Sequence, residues 1–157
     1  MTRELRFMLE AIELSRKGIA ENHGGPFGCV IVKGNEVVGR GWNKVTSTND
    51  PTAHAEVVAI REACKHLQTF QLEDCEVFTS CEPCPMCMGA IYWARPKKIY
   101  YGNSREDAAA IGFDDSLIYR ELTTAINDRR IEMICLGSGE AFEVFEEWRQ
   151  KPDKTPY

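Results

Sequence analysis

The sequence contains no long hydrophobic run. Its most apolar stretch lies around residues 90–94, far short of the roughly 18–20 residues that a membrane-spanning helix needs. The first six residues, MTRELR, carry charges but do not lead into the apolar segment of a signal peptide. We therefore expect a cytoplasmic protein with no membrane contact.

Positive charge is also in short supply. The 157 residues include 19 Lys and Arg against 24 Asp and Glu, a net charge of −5. Nucleic-acid binders normally present a basic face to the phosphates, so a small neutral substrate fits this balance better. The hydrophobic fraction of 43% and charged fraction of 27% are ordinary for a globular protein. They exclude a disordered chain, a collagen and a coiled coil, and the length predicts one domain over residues 1–157.

Cysteine, in contrast, is abundant. It occurs seven times, an odd number, at Cys29, Cys64, Cys75, Cys81, Cys84, Cys87 and Cys135. Thiols stay reduced in the cytosol, so this pattern favours metal binding over a disulfide framework.

Hydrophobic periodicity and turn residues predict an alternating α/β chain. Helices are predicted over residues 2–20, 50–66, 83–93, 117–125 and 140–149, and strands over residues 27–32, 36–42, 76–79, 98–101 and 131–136. Such alternation after an initial hairpin predicts a three-layer α/β/α sandwich with a mixed five-stranded sheet. We expect the helix and tail over residues 140–157 to cap the active site.

One histidine and two cysteines have the spacing of metal ligands. His54 lies two residues before Glu56, and Cys84 and Cys87 belong to the later run Pro-Cys-Pro-Met-Cys. Both groups fall near predicted helix N-termini, whose partial positive charge favours a thiolate. One imidazole and two thiolates suit zinc, and three protein ligands leave a fourth position for water, as in catalytic sites.

Glu56 is the predicted general acid and base. Residues two apart do not share a helix face, so His54 and Glu56 converge only if the metal lies beyond the helix end. In that arrangement Glu56 takes a proton from water at the metal and delivers it to a leaving amine.

Three longer runs resemble the zinc deaminases of the cytidine deaminase superfamily. They are residues 24–28 (GGPFG), 49–56 (NDPTAHAE) and 80–90 (SCEPCPMCMGA), and they look like the purine-acting branch, which includes guanine deaminases and tRNA adenosine deaminases. Residues 103–116 depart from the pattern usual in tRNA adenosine deaminases and resemble that of guanine deaminases.

This resemblance implies a cytidine deaminase-like fold, an activity, a cofactor and partners. The implied reaction is the hydrolytic deamination of guanine to xanthine and ammonia, with one Zn²⁺ per chain held by His54, Cys84 and Cys87. The implied partner is a small purine base and not tRNA. Members of the family are usually dimers or larger, so we expect a homodimer.

The resemblance also implies further site residues. Asp115 matches a second catalytic carboxylate, which joins Glu56 in moving protons to the departing ammonia. Asn43 matches an amide that reads the base, and an amide can both donate and accept hydrogen bonds. The other matched substrate-binding positions are Phe27 against the purine ring, Ala55, and Tyr157 closing the pocket.

Several alternatives use the same residues. A tRNA adenosine deaminase acting on an anticodon adenosine, or a deaminase of cytosine or another aminated ring, would use the same zinc site. A non-enzymatic protein could hold a structural zinc closed by Cys81, and an iron–sulfur cluster could use Cys81, Cys84 and Cys87. In a non-catalytic interpretation, Asp115 is the N-cap of the following helix. Tyr157 then belongs to a frayed C-terminus.

Overall fold

The computed structural model describes all 157 residues. Its strands are β1 (Gly28–Lys33), β2 (Glu36–Trp42), β3 (Cys75–Cys81) and β4 (Lys98–Asn103), and its helices are α1 (Arg3–Ala20), α2 (Val45–Thr48), α3 (Ala55–Leu67), α4 (Pro85–Ala94), α5 (Arg105–Ala110), α6 (Ser116–Thr123) and α7 (Ser138–Gln150). A 3₁₀ turn covers Ile126–Asp128. No helix has both the length and the apolar character needed to cross a membrane.

The four strands form one mixed sheet in the order β2-β1-β3-β4. Strand β1 runs antiparallel to both β2 and β3, whereas β3 and β4 are parallel and connected through α4. The expected mixed α/β sheet is confirmed, but the expected fifth strand over residues 131–136 is wrong. Those six residues are exposed and pair with none of the four strands, and an isolated strand leaves its backbone N–H and C=O groups without ladder partners.

Helices cover both faces of the sheet. On one face α1 packs through Phe7 and Ala11 against Val30 and Phe78. On the other face α3 and α4 bury a larger cluster, which includes the sheet residues Cys29, Ile31, Val38, Cys75 and Val77. The alternating strand residues point to opposite sides of the sheet, so odd-numbered residues of β3 face α3 and α4.

Helix α3 lies unusually close to β2 because both surfaces carry small residues. A Cβ atom on Gly41 would lie 2.1 Å from the Ala55 carbonyl oxygen, and one on Gly39 would lie 2.4 Å from the Ala59 carbonyl oxygen. Any side chain at either glycine would push the helix away. This glycine–alanine seam, Gly39 and Gly41 against Ala55 and Ala59, therefore sets the position of the first turn of α3.

Three helix starts differ from the sequence-based expectations. Helix α3 begins at Ala55, five residues later than predicted, and the side chain of Asp50, the first residue of the predicted helix, instead accepts hydrogen bonds from the backbone and side chain of Thr52. Helix α4 begins at Pro85, two residues later than predicted. Helix α5 is absent from the predicted helices, and Ser104 and Asp107 form a reciprocal capping box at its start.

The chain divides into two compact units, Met1–Asp115 and Ser116–Tyr157. The second unit contains α6, the 3₁₀ turn and α7, and many of its large apolar side chains are exposed. Cys135 is exposed there too, so the burial that we expected of it within the predicted strand over residues 131–136 is wrong. That residues 1–157 act as one domain, with a capping segment from residue 140, stays a prediction.

Candidate active site

Two helix N-termini bring the predicted metal ligands together. His54 is the N-cap of α3, Cys84 is the N-cap of α4, and Cys87 lies in the first turn of α4. The Nδ1 atom of His54 lies 3.5 Å from the sulfur of Cys84 and 3.5 Å from that of Cys87. The three ligand atoms all fall within 4.8 Å of one another.

These separations fit a tetrahedral zinc ion. With Zn–N and Zn–S bonds of about 2.0–2.3 Å and tetrahedral angles, a ligand nitrogen and sulfur lie roughly 3.5 Å apart. The observed Nδ1–Sγ distances of 3.5 Å match that value. The donor set of one imidazole and two sulfurs is also the set that zinc accepts in deaminases.

The electrostatics of the two cysteines favour one thiolate. The pKa of Cys84 is lowered to about 4, chiefly by a hydrogen bond from Cys87 and further by one from His54, while burial opposes the change. The pKa of Cys87 is raised because its thiol donates to Cys84 and because it is buried. The pKa of His54 is raised by its hydrogen bond with Cys84. The thiolate is the form that binds a metal.

Cys81 does not join this cluster. It lies at the end of β3, is buried, and its thiol faces the backbone oxygen of Ser104 at 3.6 Å. Burial raises its pKa to about 11, and the negative charge of Glu56 contributes. The group that could hold a metal contains His54, Cys84 and Cys87 without Cys81.

Glu56 lies beside the cluster in the first turn of α3. It is only 6% exposed, and its Oε2 is 3.4 Å from the sulfur of Cys87. Its Oε1 accepts a hydrogen bond of 2.9 Å from the Thr79 hydroxyl. Burial raises the pKa of Glu56, which brings a carboxyl closer to the range where it both accepts and donates a proton. His54 Nδ1 and Glu56 Oε2 therefore both approach the Cys87 sulfur, at 3.5 Å and 3.4 Å.

Asp115 is half-buried at the end of the first unit. Its pKa is raised mainly by burial; the positive charge of Arg105 opposes this rise, and the negative charge of Cys84 adds to it. These interactions place Asp115 within electrostatic range of both the metal-ligand cluster and a cation.

The predicted substrate-binding residues lie in different surroundings. Asn43 is 4% exposed, and its side-chain oxygen accepts a hydrogen bond from the Val45 N–H. Ala55 is fully buried in the first turn of α3. Phe27 is half-buried and meets Phe113 edge-on, with ring centroids 4.9 Å apart. Tyr157 belongs to the second unit, where it is exposed.

Sequence reasoning did not find Thr79, Arg105 or Phe113. For Thr79 a signal existed: Cys75, Val77, Thr79 and Cys81 alternate along β3 and share one face of the strand, and Thr79 is the hydroxyl residue among them. Arg105 and Phe113 carry no local signal, because their relation to Asp115 and Phe27 arises from the folding of residues 104–115.

Comparisons with known proteins agree with this geometry. The profile of the cytidine and deoxycytidylate deaminase zinc-binding region matches residues 1–103. A guanine deaminase of Bacillus subtilis (strain 168) is 50% identical over 151 residues, 96% of this chain and 97% of its own. A tRNA-specific adenosine deaminase of Streptococcus pyogenes is 39% identical over 127 residues, 81% of this chain and 77% of its own.

A solved structure extends the likeness to the whole backbone. The X-ray structure of guanine deaminase from Bacillus subtilis has a TM-score of 0.95 and 49% sequence identity, covering 100% of this chain and 99% of that one. The matched profile includes all three predicted ligands and Glu56. The chain belongs to the cytidine and deoxycytidylate deaminase zinc-binding family.

Proposed function

We propose that the protein is a zinc-dependent guanine deaminase that hydrolyses guanine to xanthine and ammonia. The observation that carries the proposal is the 50% identity to a guanine deaminase over 96% of the chain. The likeness to a tRNA-specific adenosine deaminase is weaker and covers 81%, and the net charge of −5 disfavours a tRNA substrate.

His54, Cys84 and Cys87 would hold one zinc ion per chain. When bound, the ion supplies a Lewis acid that lowers the pKa of a coordinated water towards about 7. The protein supplies the orientation, because two separate helix N-termini carry the three ligands. Reduced Cys84 and Cys87 are needed for this site, and that requirement supports a cytoplasmic location.

Glu56 would move the protons. Its buried carboxylate accepts a proton from the attacking water and passes it to a ring nitrogen of guanine. It then takes the remaining proton from the hydroxyl group newly bonded to C2 and delivers it to the exocyclic amine. The C2–N bond breaks, the nitrogen leaves as ammonia, and the C2 oxygen becomes the carbonyl of xanthine. Asp115, whose pKa is also raised by burial, would share this second delivery.

Four residues would bind the base. Asn43 would read the purine edge, and Phe27 would pack against the flat ring, a contact worth roughly 1–3 kcal/mol for stacked bases. Ala55 presents backbone in the buried first turn of α3.

The role of Tyr157 in closing the pocket remains a prediction, and deleting Tyr157 tests it: we expect the KM for guanine to rise.

The experiment measures ammonia release by the zinc-loaded protein. The substrates are guanine, adenine, cytosine, guanosine and tRNA. We expect guanine to be preferred by at least a hundredfold in kcat/KM. A protein that is inactive on guanine but active on tRNA or on another base would overturn the substrate assignment.

Glu56→Gln separates an enzyme from a structural zinc protein. The amide keeps the size of the side chain but cannot carry the proton, so we expect kcat to fall about 10²–10⁴-fold. Zinc content and melting temperature should stay close to the wild-type values. Unchanged activity in this variant would contradict the assignment of Glu56.

We also propose that the protein is a homodimer. The second unit exposes a set of large apolar side chains that a monomer would leave in water: Leu122, Ile131, Ile134, Leu136, Phe142 and Phe145. Contiguous exposed apolar surface usually marks an interaction site, and we propose that a second copy of the chain covers these side chains.

Light scattering coupled to gel filtration tests the dimer. We expect a mass of about twice the 17.8 kDa of one chain. Phe145→Glu should shift the protein towards monomer, whereas Glu143→Gln, a change at an exposed charged residue of the same helix, should not. A wild-type mass of one chain at micromolar concentration would contradict the proposal.

A further inference from the structure

We infer that Thr79 is a positioning residue that holds one oxygen of the Glu56 carboxylate so that the other oxygen carries the proton. This inference rests on the proposed deaminase function of the site. Thr79 is not one of the candidate metal ligands, and its hydroxyl donates a 2.9 Å hydrogen bond to Glu56 Oε1.

The placement of Thr79 is rigid. Its side chain is 1% exposed, and its backbone lies in the middle of the sheet, opposite Cys29 of β1 and Tyr101 of β4. A β-branched side chain on a strand has few accessible rotamers. The hydroxyl is therefore presented to Glu56 from a fixed point on the sheet.

The hydroxyl is not needed to build the strand. The neighbouring positions on the same face of β3 are Val77 and Cys81. Both side chains are buried, and neither carries a hydroxyl group. Valine has nearly the shape of threonine and an equally good strand propensity. A polar atom at this point in an apolar stripe must find a partner when buried, and the partner it finds is the Glu56 carboxylate.

The two oxygens of Glu56 differ in their surroundings. Oε2 faces the sulfur of Cys87 at 3.4 Å, whereas Oε1 faces Thr79. Once Cys87 binds a metal as a thiolate it has no proton to donate. The Thr79 hydroxyl is then the side-chain donor that, together with the backbone N–H of Glu56, holds the carboxylate in place, and Oε2 faces the cluster for proton transfer.

The test replaces the hydroxyl and then restores it. Thr79→Val removes the donor while keeping the shape, and we expect kcat for guanine to fall at least tenfold with KM changed less than twofold. Thr79→Ser keeps the donor and should recover kcat to within about threefold of wild type. The matched control is Ser15→Ala, which removes another buried hydroxyl, one bonded to the Ile12 carbonyl oxygen of α1; both kinetic constants should be unchanged.

Three readouts separate positioning from a general structural role. Zinc content of Thr79→Val should equal that of wild type. In a Glu56→Gln background, Thr79→Val should lower the residual kcat less than twofold, because the group it positions can no longer carry a proton. A crystal structure of Thr79→Val should show the Glu56 carboxylate rotated or in two orientations.

The results that overturn the inference are distinct from those that overturn the function. Wild-type kcat in Thr79→Val, equal losses in the Val and Ser variants, or a rise in KM alone would each refute the positioning role in an enzyme that deaminates guanine. Loss of zinc in Thr79→Val would assign Thr79 to folding of the metal site instead. A wild-type protein without guanine deaminase activity would refute the proposed function itself.

Discussion

At the residue scale, Cys81 and Cys84 illustrate how position decides the chemistry of a thiol. Cys84 caps a helix and receives hydrogen bonds that lower its pKa to about 4. Cys81 ends a strand, where burial raises its pKa to about 11. Two cysteines three residues apart therefore differ in chemistry: Cys84 favours the thiolate that binds a metal, and Cys81 stays an unreactive thiol.

Alanine substitutions at these two positions should differ in their effect on zinc. We expect Cys84→Ala to lose most of the bound zinc and all measurable deaminase activity, since only two ligands remain. Cys81→Ala, the matched control, should keep about one zinc per chain. Elemental analysis of purified protein measures both, and zinc loss in Cys81→Ala would assign Cys81 as a ligand and support a structural site.

Gly24 leaves room for Asn43. A Cβ atom on Gly24 would lie 2.0 Å from the Asn43 side-chain oxygen, so Gly24→Ala must displace that side chain. We expect the KM for guanine to rise about tenfold or more with zinc content unchanged. Gly139→Ala, where a Cβ would meet nothing within 4 Å, is the control and should leave KM as it is. Equal KM values in the two variants would remove Asn43 from the base-binding role.

The ligand set was predictable from local sequence because its chemistry depends on spacing at helix ends. His54, Cys84 and Cys87 each stand at the start of a helix, and Thr-Ala-His-Ala-Glu and Pro-Cys-Pro-Met-Cys are short, specific patterns. For Thr79 the local sequence shows only a polar residue within a buried strand; that its partner is Glu56, 23 residues earlier in the chain, depends on how the strand and helix α3 pack together.

At the scale of elements, the glycine–alanine seam between β2 and α3 positions the helix that carries His54 and Glu56. Gly41→Ala would place a methyl group against the Ala55 carbonyl oxygen and force the first turn of α3 outward. Such overpacking typically costs about 1–3 kcal/mol.

We therefore expect Gly41→Ala to lower both the melting temperature and the affinity for zinc. Calorimetry and a competitive zinc chelator measure the two quantities, with Gly139→Ala again as the control. A Gly41→Ala protein with wild-type stability and zinc affinity would show that the seam does not set the site.

Elements with strong local signals matched their predictions, and elements that depend on distant partners did not. Helix α1 has an N-cap at Thr2 and an apolar stripe, and β2 covers the predicted residues 36–42. The start of α3 was predicted too early because Asp50-Pro51 looks like a stronger cap than His54. Residues 131–136 have the composition of a strand but no neighbour in the sheet to pair with.

At the scale of the whole molecule, zinc would link segments that are far apart in sequence. The three ligands come from α3 and α4, which are separated by β3. A metal that binds the folded state and not the unfolded chain stabilises it by mass action, by about 4 kcal/mol when free metal exceeds Kd a thousandfold.

Removal of zinc should therefore lower the melting temperature. For a chain of this size we expect a fall of roughly 10 °C on treatment with a strong chelator, reversed by added zinc and not by added magnesium. Differential scanning fluorimetry measures the shift. An equal melting temperature with and without zinc would contradict the proposed site.

The separation of the ligands along the chain also has a consequence for biosynthesis. The imidazole of His54 leaves the ribosome before either thiolate, and the sulfurs follow only after β3 has been made. A nascent polypeptide that ends within β3 has one ligand and cannot retain the ion. Metal binding consequently cannot precede the synthesis of Cys87, the last of the three ligands, which lies a little past the middle of the 157-residue chain.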